Sequence, residues 1–186
     1  MEKEIYVLKQ LANGRGWVTK EDGSIEFTDG EILTQEAYKV QEASLEADYL
    51  KFERKRKLAS IFAEKAIGLK RLAIDKPYMT NAQEVNEQYA AYEAMYEAAK
   101  NGAYDEATNT AIINANETAK MTLAPVNLLL NSIRSLLEQK IEENASDIDI
   151  LLDKAKAISL SKDELTPETL ENIKADFYGT STTTNS

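Results

Sequence analysis

Cysteine and histidine are both missing from the 186-residue chain. The first absence excludes disulfides and thiolate metal sites and leaves the redox compartment unread. The second removes the commonest metal ligand and the commonest general base together. Only three prolines and seven glycines occur, so little in the chain interrupts helix. No apolar run exceeds four residues, and Leu128–Leu130 with Val126 nearby is likewise far short of what spans a bilayer. The first ten residues mix charges with Ile5, Tyr6, Val7 and Leu8, unlike a secretion signal. The expectation is therefore cytoplasmic synthesis without a membrane partner.

What is present is helix-forming and acidic. Apolar residues make up 43% and charged residues 29% of the chain, ordinary values for a folded protein. The formal net charge of −10 is unevenly spread. Residues 1–75 hold 13 basic and 14 acidic side chains, net −1, whereas residues 76–186 hold 9 and 18, net −9. Within the first part, residues 51–71 carry eight cations against two anions, net +6. A basic band thus precedes an acidic remainder.

Thr34–Asp75 contains no proline and the single glycine Gly68. Val40, Ala43, Ala47, Leu50, Leu58, Ile61, Phe62, Ala66, Leu69 and Ala73 recur at three- and four-residue steps, which predicts one amphipathic helix roughly 60 Å long. Before it, four glycines crowd into Asn13–Gly30. There Trp17–Lys20 and Ile25–Thr28 flank Asp22-Gly23, which predicts a β-hairpin with a type I′ turn and one apolar face to bury. Residues 3–12 fit a short helix or a further strand.

Beyond the long helix, Asn81–Lys100 places Val85, Tyr89, Tyr92, Met95, Tyr96 and Ala99 on one face and ends at Asn101-Gly102. Asp105–Asn144 carries the stripe Ile112, Ala115, Ala119, Leu123, Val126, Leu130, Ile133, Leu137 and Ile141, with Pro125 inside it as a kink or split. Ser146 is placed to cap a shorter helix bearing Ile148, Leu151, Leu152, Ala155 and Ile158. Ser161 with Glu164 forms a capping-box pattern for one turn, and Thr166-Pro167 opens a last helix with Leu170, Ile173 and Phe177. The fold class expected is all-α: an elongated antiparallel helical bundle with long helices and a small N-terminal β-hairpin. Its parts are a hairpin segment at 1–31, the bundle at 32–178 and a flexible polar tail at 179–186.

Catalytic chemistry finds little footing. Lys20–Asp29 superficially resembles a calcium loop, but Val18 and Lys20 fall where its first oxygen ligands belong. Glu84, Glu87, Glu93, Glu97, Asp105 and Glu106 lack the histidines that complete a di-metal cage between helices. No serine sits in a glycine-rich elbow, and Gly14-x-Gly16 lacks the third glycine of a phosphate loop. A carboxylate-dependent hydrolase ranks last. No cofactor, metal or small-molecule substrate is expected.

Interaction surfaces are better supported. Tyr89, Tyr92 and Tyr96 form an aromatic ridge suited to a helix–helix or subunit contact, ahead of base or sugar stacking. Lys51, Arg54, Lys55, Arg56 and Lys57 have only Phe52 interleaved, and the acidic whole repels nucleic acid. They suit an acidic surface on another copy or partner. Trp17 is the natural anchor of the hairpin.

Asn13-Gly14-Arg15-Gly16-Trp17, set after a short possible helix and before an acidic turn, resembles the Arg-Gly-Trp segment of tail-tube adaptor proteins in short-tailed phages. The resemblance implies a mainly helical protein with a small β element, a ring-forming connector at the portal vertex of the virion without catalytic residues. The expectation is a non-enzymatic structural or assembly protein whose partners are itself, as a homo-oligomer, and other structural proteins. The alternative is an acidic binding module, or a DNA mimic that inhibits a nucleic-acid-binding protein.

Overall fold

The computed structural model describes residues 2–179. Among them the order is α1 (Glu2–Ala12), β1 (Trp17–Thr19), β2 (Ile25–Phe27), β3 (Ile32–Leu33), α2 (Gln35–Ser44), α3 (Glu46–Ala73), α4 (Ala82–Lys100), α5 (Glu106–Glu142), α6 (Ile148–Ala157) and α7 (Pro167–Tyr178). The protein is mostly helical with one small antiparallel sheet. Two compact units divide it, Met1–Arg56 and Lys57–Ser186. No helix among the described residues is long and apolar enough to cross a membrane. Residues 180–186 of the expected tail lie outside the described residues.

In the first unit, residues 2–12 form helix and the expected hairpin gains a third strand. The sheet order is β1-β2-β3, with Trp17 opposite Phe27 and Ile25 opposite Leu33. Ile25 and Phe27 are buried against Leu8 and Ala12 of α1, with Trp17, Leu33 and Tyr38 packed around them. The turn differs from the expected type I′. Gly23 N–H donates to Lys20 O at 3.0 Å, and only Gly23 has positive φ, +78°. This is a type I turn followed by a left-handed glycine, the usual form of a three-residue hairpin loop. Asp22 holds it by accepting from Ser24 N–H and Ser24 Oγ at 2.9 and 2.6 Å.

Arg15 joins helix to sheet. Its Nε and Nη2 donate to Ala12 O and Leu11 O at 2.9 and 3.0 Å, closing the carbonyl end of α1. Its Nη1 donates to Asp29 and Glu31 at 2.6 Å each, and its guanidinium lies 4.2 Å from the Phe27 ring centroid. A Cβ on Gly16 would approach Thr28 Cγ2 to 2.9 Å, where Thr28 N–H donates to Gly16 O at 3.0 Å. The Arg-Gly-Trp segment therefore has a complete structural role inside this unit.

The helix expected over Thr34–Asp75 is interrupted. α2 ends at Ser44, and Leu45 sits at φ −92°, ψ 2°, between helical and extended backbone. Ser44 Oγ donates to Gln41 O at 2.7 Å, competing with the ladder at that point. The chain resumes as α3 and stops at Ala73, where Asp75 takes a positive φ of 54° and Lys76 N–H donates back to Arg71 O at 3.0 Å.

The second unit is built on α5. Val126, Leu130, Ile133, Leu137 and Ile141 are buried among Leu58, Ile61 and Phe62 of α3, Ile148, Leu151 and Leu152 of α6, and Phe177 of α7. Pro125 does not split α5. The bond it forfeits is to the carbonyl of Met121, an exposed residue, while packing holds the downstream half of the helix. The cap expected at Ser146 also shifts. Asp147 takes the N-cap position at φ −92°, ψ 0°, away from the extended backbone of a side-chain cap, and its carboxylate accepts from Lys140 Nζ at 2.9 Å instead. Ser161 Oγ does donate to Glu164 at 2.8 Å, but the pair closes a turn and not a helix.

Two outcomes follow from this packing. Leu137→Ala removes a side chain with 0% exposure and is expected to lower unfolding stability by about 2–5 kcal/mol in denaturant titrations. Leu128→Ala, at a position 70% exposed, is expected to change it by less than about 0.5 kcal/mol. Separately, Arg15 holds the Asp29 carboxyl below its ordinary value of 3.8. A carboxyl depressed on folding stabilises above its unfolded pKa, and that contribution is lost as pH falls through the folded one. Fluorescence of the single Trp17 should accordingly report loosening of the first unit below about pH 4, and Arg15→Met should flatten that pH dependence.

Candidate functional site

α4 and the first half of α5 form a closed helical hairpin. Asn81 Oδ1 caps α4 by accepting from Gln83 N–H and Glu84 N–H at 2.9 and 3.3 Å. Gly102, at φ +73°, ends it. Asp105 caps α5 by accepting from Thr108 N–H and Oγ1 at 3.0 and 2.6 Å, and those two bonds depress its carboxyl pKa. Between them Asn109 Nδ2 donates to Tyr104 O at 2.9 Å and its Oδ1 accepts from Tyr104 N–H at 3.2 Å. Both ends of the hairpin are thus fixed before any partner is met.

Asn116 lies at its centre with 0% exposure. Its Nδ2 donates to Glu93 Oε1 at 3.2 Å, while its Oδ1, although buried, accepts from no protein group. Flipping the amide would set two acceptors against each other, so the contact with Glu93 fixes which atom is left over. An unmade bond of this kind costs about 1–3 kcal/mol. Lys120 Nζ lies 3.5 Å from Glu93 Oε2 and 4.3 Å from the Tyr96 ring centroid.

A groove of about 480 Å³ opens above Asn116. Ala66, Leu69 and Ala73 of α3 and Ala119, Leu123 and Ala124 of α5 give it small apolar walls, and Tyr89, Tyr92, Glu93, Lys70 and Lys120 give it a polar rim. The Tyr89 and Tyr92 rings are tilted by 40° with centroids 6.3 Å apart. Burial, and after it the Glu93 carboxylate, raises both phenol pKa values, so both hydroxyls stay neutral through physiological pH. The groove offers apolar area and aromatic faces beside one carboxylate and two lysines, which is the chemistry of binding.

Of the residues singled out in the sequence, Tyr89 and Tyr92 line this groove. Tyr96 turns aside to Lys100, Lys120 and Glu117, its hydroxyl 3.5 Å from Glu117 Oε1. Met95, expected on the inner face, is 48% exposed. Trp17 packs inside the first unit. In the basic band Arg56 pairs with Glu2 and Glu53 at 2.9 Å each, and Lys57 pairs with Asp153 at 2.8 Å. Lys51, Arg54 and Lys55 have interactions as well. No group of three or more carboxylates among the described residues could hold a metal ion.

Asn116 itself is absent from the stripe as first drawn, which has Ala115 in its place. The signal was legible: 112, 116, 119, 123, 126, 130, 133 and 137 keep an unbroken four–three alternation, and an asparagine in an otherwise apolar row is conspicuous. Asn116→Leu removes the orphaned oxygen at similar volume. It is expected to hold or raise unfolding stability, by up to about 1 kcal/mol, in denaturant titrations. A loss of about 2 kcal/mol would mark Asn116 as a purely structural group. Compared with known proteins, the chain matches no family model, no curated protein and no solved structure.

Proposed function

We propose that the chain is a non-enzymatic structural or assembly protein that works by oligomerising, as a connector or tail component of a phage virion would. The α4–α5 face is the receiving surface, and the Lys51–Lys57 segment of a second copy is its occupant. The observation that carries this reading is the tyrosine-rimmed groove with small apolar walls on an acidic helical face. A docked chain covers the rings and the apolar walls.

Charge supports the choice of occupant. Residues 82–120 hold seven carboxylates and two lysines, net −5, while residues 51–57 hold five cations and one carboxylate, net +4. The ion pairs that Arg56 and Lys57 make within their own chain are solvent-exposed and worth little, so a neighbour's carboxylates can replace them at small cost. A donor surface and an acceptor surface that differ make a heterologous contact, which closes as a ring or continues as a filament. Other structural proteins of the same assembly would meet the remaining acidic face.

Light scattering after size exclusion tests this. The native chain is expected to self-associate with concentration and to dissociate as salt rises. Replacing Lys51, Arg54, Lys55, Arg56 and Lys57 by glutamate should abolish association while circular dichroism stays helical. A native chain that is monomeric at high concentration, or a reversed chain that assembles unchanged, overturns the reading. A monomer that displaces DNA from a basic protein would point instead to an acidic inhibitor.

A further inference from the structure

One cavity departs from the acidity of the second unit. It is about 260 Å³ and lies between α3 and the chain leaving α6, bordered by Glu64, Lys65, Arg71, Lys156 and Ser159. Three cations meet one carboxylate there, a local net of +2 in a chain of net −10.

Two of those cations are incompletely satisfied. The Lys65 side chain is buried, at 7% residue exposure, and its Nζ donates to Lys156 O at 2.7 Å and Ile158 O at 2.6 Å. These carbonyls end α6, so Lys65 serves as a cation at a helix C-terminus. An ammonium has three N–H groups, however, and only two are used. Burial pushes the Lys65 pKa below the ordinary lysine value, with Glu64 offsetting part of that. Six residues further along α3, about 120° around the helix but lining the same cavity, Arg71 Nε is buried and donates to nothing.

Between these two cations, Gly68 lets the Leu160 side chain pack against the α3 backbone at the edge of the cavity. A Cβ there would meet Leu160 Cδ1 at 2.9 Å. A helix-capping role accounts for two protons of Lys65 and leaves the third, and the whole of Arg71 Nε, without purpose.

We propose that this cavity binds a phosphate group, held by Lys65 and Arg71 with Lys156 at its mouth. A dianion with several acceptor oxygens balances the local charge of +2, takes the spare N–H of Lys65 and pairs with the guanidinium edge of Arg71. The volume admits a phosphate group alone or the head of a small phosphomonoester.

Thermal unfolding of the full chain, titrated with inorganic phosphate and in parallel with glycerol phosphate, tests the site. Sodium chloride at matched ionic strength controls for screening of the net charge, which would stabilise an acidic protein by itself. A saturable rise in melting temperature above the chloride control is expected. Arg71→Met should weaken the apparent affinity at least about tenfold, the loss expected for one charged hydrogen bond.

Lys65→Met is a poor first variant because it also strips the α6 carbonyls. Lys140→Met, remote from the cavity, should bind as the native chain does. Tighter binding of glycerol phosphate identifies the monoester as the source, and equal or weaker binding identifies free phosphate. Phosphate that stabilises no more than chloride, or a shift that survives Arg71→Met, overturns the proposal.

Discussion

Burial of one face of α5 from Val126 to Ile141 is the constraint on which the second unit depends. Five large side chains on that face are nearly or fully excluded from water among α3, α6 and α7. At about 1.5–3 kcal/mol for each fully buried side chain, no surface ion pair in the protein competes with it. Because α6 and α7 are committed to this half, the first half of α5 has α4 as its main cover. Its inner face is correspondingly sparse: Val85, Ala99 and Asn116 are buried, while Tyr89, Tyr92 and Met95 reach solvent. Uneven coverage of one continuous helix thus creates both the core and the groove.

Electrostatics is layered on that packing. The eight cations of residues 51–71 look like a single band in the sequence, but the structure divides their work. Arg56 joins α3 to the start of α1, Lys57 reaches Asp153, and Lys65 is drawn inside to the end of α6. Exposed pairs of the first kind exchange readily, whereas a buried ammonium held by carbonyls does not. The proposed assembly uses the exchangeable cations, and the proposed phosphate site uses the buried Lys65 with the half-buried Arg71.

Much of this architecture could be read from the residues. The apolar rows of α5 from Val126 onward, of α6 and of α7, the cap at Thr166 and the burial of Ile25 and Phe27 all follow from periodicity and capping chemistry. The break at Leu45 was hidden because no glycine or proline marks it; a serine side chain and one residue of intermediate backbone suffice. The third strand is only Ile32–Leu33, too short to show alternation. Within the candidate site Tyr89 and Tyr92 were visible as a ridge, but their neighbours Asn116, Lys70 and Lys120 come from other helices. Lys65 and Arg71 were lost in a band of charge because sequence gives sign and spacing but not depth.

Native-state hydrogen exchange along α5 tests the central claim most directly. If coverage is as uneven as described, amides from Val126 to Ile141 exchange only with global unfolding, while those from Glu106 to Lys120 exchange far faster through local opening of the hairpin. Protection of equal depth along the whole of α5 in the dilute monomer would contradict the account.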